Sequence, residues 1–162
     1  MKTAIVLAGS AGLILMAAEA NALESKAQRV SSESVATVWK RVGNFCGISA
    51  WDTSVAKCEL SSDGKQRRLT LKNGATVVEA LVKWSDARHF YTYKIVSSPL
   101  PVAGYKSTLK VAAGKAGSGS IITWQGRYEA KGASNVEAKK IIDSIYESGT
   151  EALVSARSVP AS

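Results

Sequence analysis

Six strand-like segments follow one another between residues 55 and 130, each separated from the next by a short turn. The turn at Asn73-Gly74 is typical of a tight two-residue hairpin, and Ser61 to Gly64 also has turn composition. The segments are 55–60, 65–72, 75–86, 90–96, 105–113 and 120–130. Because consecutive strands with short connections pair side by side, this series predicts a meandering antiparallel sheet.

The segments that flank this series complete an unusual order of elements. We expect a strand at 23–30, a short helix that begins after Ser31, Ser32 or Ser34 and ends at Val42, and a second short helical piece at 45–51. A helix at 134–154 follows the last strand and is about 30 Å long at ~1.5 Å per residue. Apolar residues recur along it at three- and four-residue steps, at Val136, Ile141, Ile142, Ile145, Ala152 and Leu153.

The first 22 residues have the layout of an export signal. A basic start at Lys2 is followed by an apolar run over 4–18 and by Ala20-Asn21-Ala22, which predicts cleavage between Ala22 and Leu23. An uncleaved anchor is the alternative, but a spanning helix needs about 20 apolar residues and this run is shorter. We therefore expect a signal peptide at 1–22, a domain at 23–155, a disordered tail at 156–162, and a periplasmic or secreted location.

The cysteine and histidine content limits the chemistry of the chain. Two cysteines, Cys46 and Cys58, are present, and an even number in an exported protein indicates a disulfide. The single histidine, His89, lacks the companions that a tetrahedral metal site needs. We expect no metal and no cofactor.

The basic residues are spread along the chain rather than gathered into one cluster. The formal net charge is +8 at pH 7. A scattered surplus of this kind is typical of a solvated surface and does not favour nucleic-acid binding. Docking to an acidic protein partner is the alternative use of such a surface. No stretch after the first 22 residues is long and apolar enough to span a bilayer, so we expect no stable membrane insertion after cleavage.

Two stretches of sequence carry a resemblance to a known superfamily. Residues 44–51 with 55–59, and residues 91–95 with 99–102 and Tyr105, resemble exported bacterial members of the polyketide-cyclase-like group of the SRPBCC, or START-like, superfamily. This resemblance implies an α+β helix-grip fold. In that fold, a curved seven-stranded antiparallel sheet wraps around a long C-terminal helix, two short helices follow strand 1, and an apolar cavity lies between sheet and helix.

Candidate ligand-binding residues follow from a similarity to plant hormone receptors of the abscisic-acid type, which share this fold. Lys57 and Glu79 stand at positions similar to the ligand-contacting lysine and glutamate, and they either bind a ligand or pair with each other across the cavity. The remaining positions that match the cavity wall are Tyr93, Ile95, Tyr105, Ser107, Gln125, Ile141, Ile145 and Gly149. The receptors' gate and latch sequences are replaced here at 72–75 and 97–102, so a movable loop at 97–102 is a hypothesis.

No sequence motif of a common catalytic machinery is present. The chain has no Gly-x-Ser-x-Gly, His-Glu-x-x-His, phosphate-binding loop or dinucleotide fingerprint. The sequence therefore favours an exported carrier or sensor of a small apolar or amphipathic molecule, acting as a monomer or weak dimer. The alternatives are a cyclase- or dehydratase-like enzyme that uses Glu79 and Tyr93 for acid–base chemistry, and a periplasmic accessory subunit of a redox enzyme.

Overall fold

The computed structural model describes residues 22–115 and 118–156. Residues 1–21 of the predicted signal peptide and 157–162 of the predicted tail lie outside the described residues. The elements, in chain order, are β1 (Leu23–Ser31), α1 (Val35–Val42), α2 (Ile48–Trp51), β2 (Val55–Leu60), β3 (Gln66–Leu71), β4 (Thr76–Ser85), β5 (Phe90–Ser97), β6 (Val102–Ala113), β7 (Ser120–Ala130) and α3 (Asn135–Ser155). The predicted order of elements is confirmed.

The seven strands form one antiparallel sheet in the order β1-β7-β6-β5-β4-β3-β2. From β2 to β7 every strand pairs with its neighbour in the chain, because short turns such as the one at Gly74, which has a φ of 83°, reverse the chain at once. β1 closes the series by pairing with β7 along its whole length. The curved sheet holds α3 against β1 and β7, so the helix-grip fold is confirmed.

Capping residues set the ends of the helices. The Ser34 hydroxyl accepts a hydrogen bond from the Thr37 amide and begins α1, and Gly43, with a φ of 71°, ends it. Ser134 and Glu137 form a reciprocal capping box at the start of α3. The predicted disulfide between Cys46 and Cys58 is present, and it ties the segment between α1 and α2 to β2.

The face of α3 that packs on the sheet differs in part from the predicted stripe. Its buried residues are Ala138, Ile142, Tyr146, Gly149, Thr150 and Leu153. Val136 and Ile141 are exposed instead, by 78% and 39%. Three- and four-residue steps allow more than one stripe on a 21-residue helix, and contact with β1 and β7 selects the one that contains Tyr146. Within the described residues, no helix has the length and apolarity that crossing a bilayer requires.

Candidate functional site

A cavity of about 280 Å³ lies between the concave face of the sheet, α2 and α3. Most of its wall is aliphatic or aromatic, and its apolar and aromatic lining residues include Ile48, Val55, Leu69, Leu71, Val77, Tyr93, Ile95, Leu100, Tyr105, Trp124, Ile142 and Ile145. Its polar lining residues include Asp52, Ser54, Asn73 and Glu79. A small concave space with a few polar groups in an apolar wall is the usual form of a small-molecule site.

The first polar region beside the cavity is a buried ion pair between Glu79, in the wall, and Arg67, behind it, which we call the Arg–Glu pair. The two residues stand directly opposite each other on β3 and β4, and Arg67 Nε lies 2.5 Å from Glu79 Oε2. Arg67 Nη1 also donates to the Phe45 backbone carbonyl oxygen at 2.5 Å. The guanidinium carbon lies 4.2 Å from the centre of the Phe45 ring and 5.1 Å from that of Tyr93, so the cation is held among aromatic faces.

Burial and mutual charge act in opposite directions on the Arg–Glu pair. Burial raises the pKa of the Glu79 carboxyl, and the neighbouring Arg67 charge offsets only part of this effect. Burial works to lower the pKa of Arg67, but the Glu79 charge, the neighbouring Tyr91 and Tyr93 and the hydrogen bond to Glu79 together outweigh it, and the pKa is raised. Arg67 therefore stays cationic, and its charge depends on the carboxylate beside it.

The second polar region is an uncharged cluster that we call the hydroxyl network: Tyr93, Tyr105, Ser107, Trp124 and Tyr146. The Trp124 indole N–H is shared between the Tyr93 hydroxyl at 3.1 Å and Ser107 Oγ at 3.0 Å. The Tyr146 hydroxyl lies 2.7 Å from that of Tyr105 and 3.0 Å from Ser107 Oγ. The Tyr93 and Tyr105 hydroxyls are 3.2 Å apart. The network thus joins β5, β6, β7 and α3 through neutral groups.

The hydroxyl network leaves one hydrogen without a protein acceptor among the described residues. Ser107 donates to the backbone carbonyl oxygen of the next strand, and Tyr146 donates to Tyr105 or Ser107. Only one hydrogen bond joins Tyr93 and Tyr105, so one of these two hydroxyls keeps its hydrogen free. Both residues line the cavity, which therefore offers one neutral donor.

The tyrosine hydroxyls of the network stay protonated at neutral pH. Burial is the main reason that the pKa values of Tyr93 and Tyr105 lie well above their usual range, and it raises that of Tyr146 to about 12. These hydroxyls can donate or accept hydrogen bonds, whereas a phenolate base is strongly disfavoured. Of the two residues that the sequence suggested for acid–base chemistry, Glu79 and Tyr93, Glu79 is therefore better suited to act as a base.

The structure places Lys57 away from the cavity. A bulge between Val55 and Lys57 interrupts the alternation of β2, so Val55 and Cys58 face inward while Lys57 faces solvent. Its ammonium lies 2.9 Å from Glu59 Oε1 on the outer surface. The prediction that Lys57 reaches the cavity and faces Glu79 is therefore wrong, and Arg67, behind the cavity wall, pairs with Glu79 instead.

Two of the predicted strand positions, Gln125 and Ser107, also differ from expectation. Gln125 is exposed on the outer face of β7, because strand alternation turns its neighbour Trp124 inward. Ser107 is buried in the hydroxyl network behind the cavity wall rather than in the wall. Glu79, Tyr93, Ile95 and Tyr105 do line the cavity, and their contact with a ligand stays a prediction.

The three helix positions have three different surroundings. Ile145 lines the cavity. Ile141 lies instead in an outer groove beside α3, since the helix turns its neighbour Ile142 inward. Gly149 is buried against Trp124, and a β-carbon at this position would overlap the indole ring. Its role in the fold is to make room for Trp124.

Four residues with functional surroundings were missed by the sequence reasoning: Arg67, Trp124, Tyr146 and Asp52. Arg67 alternates with Leu69 and Leu71 on β3, and this pattern could have marked it as inward-facing. Trp124 alternates with Ile122 on β7, and this pattern indicates an inward position but no hydrogen-bonding role. No local signal distinguishes Tyr146 or Asp52, because their positions depend on how α3 and α2 meet the sheet.

Comparisons with known proteins agree with this architecture. A family model described as polyketide cyclase / dehydrase and lipid transport matches residues 23–156. No curated protein matches the chain.

Solved structures with the same fold include two proteins from Bacillus species. An uncharacterised protein from Bacillus thuringiensis is 29% identical, with a TM-score of 0.80 over 83% of this chain and 98% of that one. The protein XoxI from Bacillus cereus is 29% identical, with a TM-score of 0.79 over 82% and 94%. A protein from Nitrosospira multiformis, at 21% identity and a TM-score of 0.68 over 82% and 94%, shares the fold.

Proposed function

Because the chain belongs to the polyketide cyclase / dehydrase and lipid transport family, we propose that it is an exported protein that binds a small apolar or amphipathic molecule beneath α3. The observation that carries this proposal is the cavity, which has a mainly apolar wall and few polar groups. Its volume of about 280 Å³ lies just below the range of about 300–1,000 Å³ for drug-sized ligands. A compact molecule therefore suits it better than a two-chain lipid.

Export is the second part of the proposal. It is supported by the signal-like sequence at 1–22 and by the disulfide between Cys46 and Cys58, a bond that persists in oxidising compartments. Mass determination of the protein recovered from the periplasm would test cleavage between Ala22 and Leu23. A product that retains residues 1–22 would contradict it.

A route into the cavity is suggested beside the loop between β5 and β6. Pro99 and Ile145 line both the cavity and the outer groove along α3, so these two side chains stand between the two spaces. Movement of the loop at 97–102 would open this route. We expect Ile145→Ala to release bound ligand faster than the wild type, as measured by stopped-flow displacement. An unchanged release rate would argue for another route.

A matched pair of variants on β5 tests whether ligands bind in the cavity. Ile95 lines the cavity, whereas its neighbour Val96 is 54% exposed on the opposite face. Ile95→Trp should fill the space and abolish the thermal shift produced by lipophilic metabolites. Val96→Trp should leave that shift unchanged. Equal responses of the two variants, or no ligand-dependent shift in the wild type, would contradict the proposal.

A cyclase- or dehydratase-like activity is a second candidate function, and one observation favours it. Burial raises the pKa of Glu79, a carboxyl on the cavity wall, and a carboxyl with a raised pKa can transfer protons near neutral pH. Glu79→Gln should then abolish turnover while circular dichroism shows an intact fold. Turnover that survives both Glu79→Gln and Tyr93→Phe would remove this candidate.

A further inference from the structure

The charged groups on the cavity wall are all of one sign. We infer that the cavity selects an apolar molecule that carries one protonated amine, bound beside Asp52 and Glu79, and that it discriminates against carboxylates. This inference rests on the proposed binding function and names its ligand class. If Lys57 faced the cavity, its positive charge would favour an acidic ligand. The observed wall favours the opposite charge.

Asp52 and Glu79 are the only charged side chains that line the cavity within the described part of the chain. The nearest cation, Arg67, lies behind the wall and compensates Glu79. Asp52 Oδ1 accepts hydrogen bonds from the backbone and side chain of Ser54, both of which are neutral. One negative charge therefore remains uncompensated beside the cavity, and an apolar wall strengthens its attraction for a cation.

The acceptor atoms of the two carboxylates are available to a ligand. Among the described residues, Glu79 accepts hydrogen bonds only through Oε2, and Asp52 only through Oδ1. The remaining oxygens, Glu79 Oε1 and Asp52 Oδ2, have no donor from the protein. A protonated amine brings three donors and no acceptor, which fits such a site.

The two carboxylates also affect each other. After burial, which is the main cause, the charge of Asp52 contributes to the raised pKa of Glu79. A bound cation would relieve this repulsion, whereas a bound carboxylate would add to it. The single neutral donor from Tyr93 or Tyr105 cannot compensate a ligand carboxylate in this position, because no cationic side chain lines the described wall.

Three probes of similar shape and different charge test the inference: 2-phenylethylamine, 2-phenylethanol and phenylacetate. Their affinities would be measured at pH 7 by chemical-shift titration of the full mature protein. We expect the amine to bind at least about tenfold more tightly than phenylacetate, with the alcohol between them. Asp52→Asn, which keeps the oxygen that Ser54 contacts, should reduce the affinity for the amine toward that of the alcohol.

A charge-matched control comes from the outer surface. Glu59→Gln removes one negative charge from the exposed pair with Lys57 and should leave all three affinities unchanged. Phenylacetate binding as tightly as the amine, or an amine affinity that Asp52→Asn does not alter, would overturn the inference and leave the binding function in place. If none of the three probes causes chemical-shift changes in the wild type that Ile95→Trp abolishes, both the inference and the proposed binding function fail.

Discussion

The two polar regions beside the cavity hold their groups in different ways. The Arg–Glu pair joins two neighbouring strands through charge, and each member depends on the other because both are buried, Arg67 to 1% and Glu79 to 6% exposure. The hydroxyl network joins three strands and α3 through neutral groups, and two of its donors, those of Trp124 and Tyr146, have two acceptors within reach. Loss of one partner should therefore cost far more in the first region than in the second.

Removal of one charge from the Arg–Glu pair should have the largest effect on stability. Glu79→Leu leaves Arg67 buried without its counter-ion, and we expect the free energy of unfolding to fall by about 3–5 kcal/mol. The paired replacement Arg67→Met with Glu79→Leu removes both charges and should recover most of that loss. Urea unfolding would measure both changes. A double variant as unstable as the single one would show that shape, and not unpaired charge, controls this region.

Crowding of the hydroxyl network should have an intermediate effect. Gly149→Ala would by helix propensity alone stabilise α3 by about 1 kcal/mol. The added β-carbon would overlap the Trp124 ring, however, so we expect a loss of about 1–3 kcal/mol instead. The sign of the change in urea unfolding decides between these effects. In a Trp124→Phe background the loss should shrink, and an unchanged loss would place its cause elsewhere.

The hydroxyl network should also weaken the protein at alkaline pH. In the unfolded chain a tyrosine ionises near its usual pKa of 10.0, whereas burial raises the pKa of Tyr146 in the folded protein to about 12. Tyr146 should therefore add no pH dependence to the free energy of unfolding below pH 10. Above pH 10 the free energy of unfolding should fall as the pH rises toward 12. Each such tyrosine lowers the free energy of unfolding by up to about 1.4 kcal/mol per pH unit in this range. Tyr146→Phe should give a shallower slope, and an identical slope would contradict the assignment.

The exposed pair of Lys57 and Glu59 should show the smallest effect. Both side chains are largely in solvent, at 63% and 50% exposure, so their attraction is screened by water. Lys57→Gln should leave the midpoint of urea unfolding unchanged, and it should leave ligand affinity unchanged as well. A clear loss of ligand affinity would mean that Lys57 reaches the cavity, against its position on β2.

The success of the sequence-based predictions depended on the range of the interactions concerned. Ser34, Gly74 and Ser134 act on backbone groups within four residues, so the turns and helix ends near them were predicted to within about three residues. The similarity to the hormone receptors correctly placed Tyr93 and Tyr105 on the cavity wall. The same similarity failed at Lys57, because a bulge at that point, which depends on the pairing of β2 with β3, turns Lys57 to the outer face.

The sequence by itself determined the order of the elements and the antiparallel sheet, because periodicity and turn residues are local properties of the chain, and the even cysteine count indicated the disulfide. The helix-grip fold followed from the resemblance of two stretches of the sequence to a known superfamily. Only the tertiary structure decided which polar groups pair with each other beside the cavity. Glu79 is twelve positions from Arg67, and Tyr146 is 41 positions from Tyr105. Which buried charge meets which partner depends on strand register and on the face that α3 turns to the sheet, and neither is fixed until the whole domain packs together.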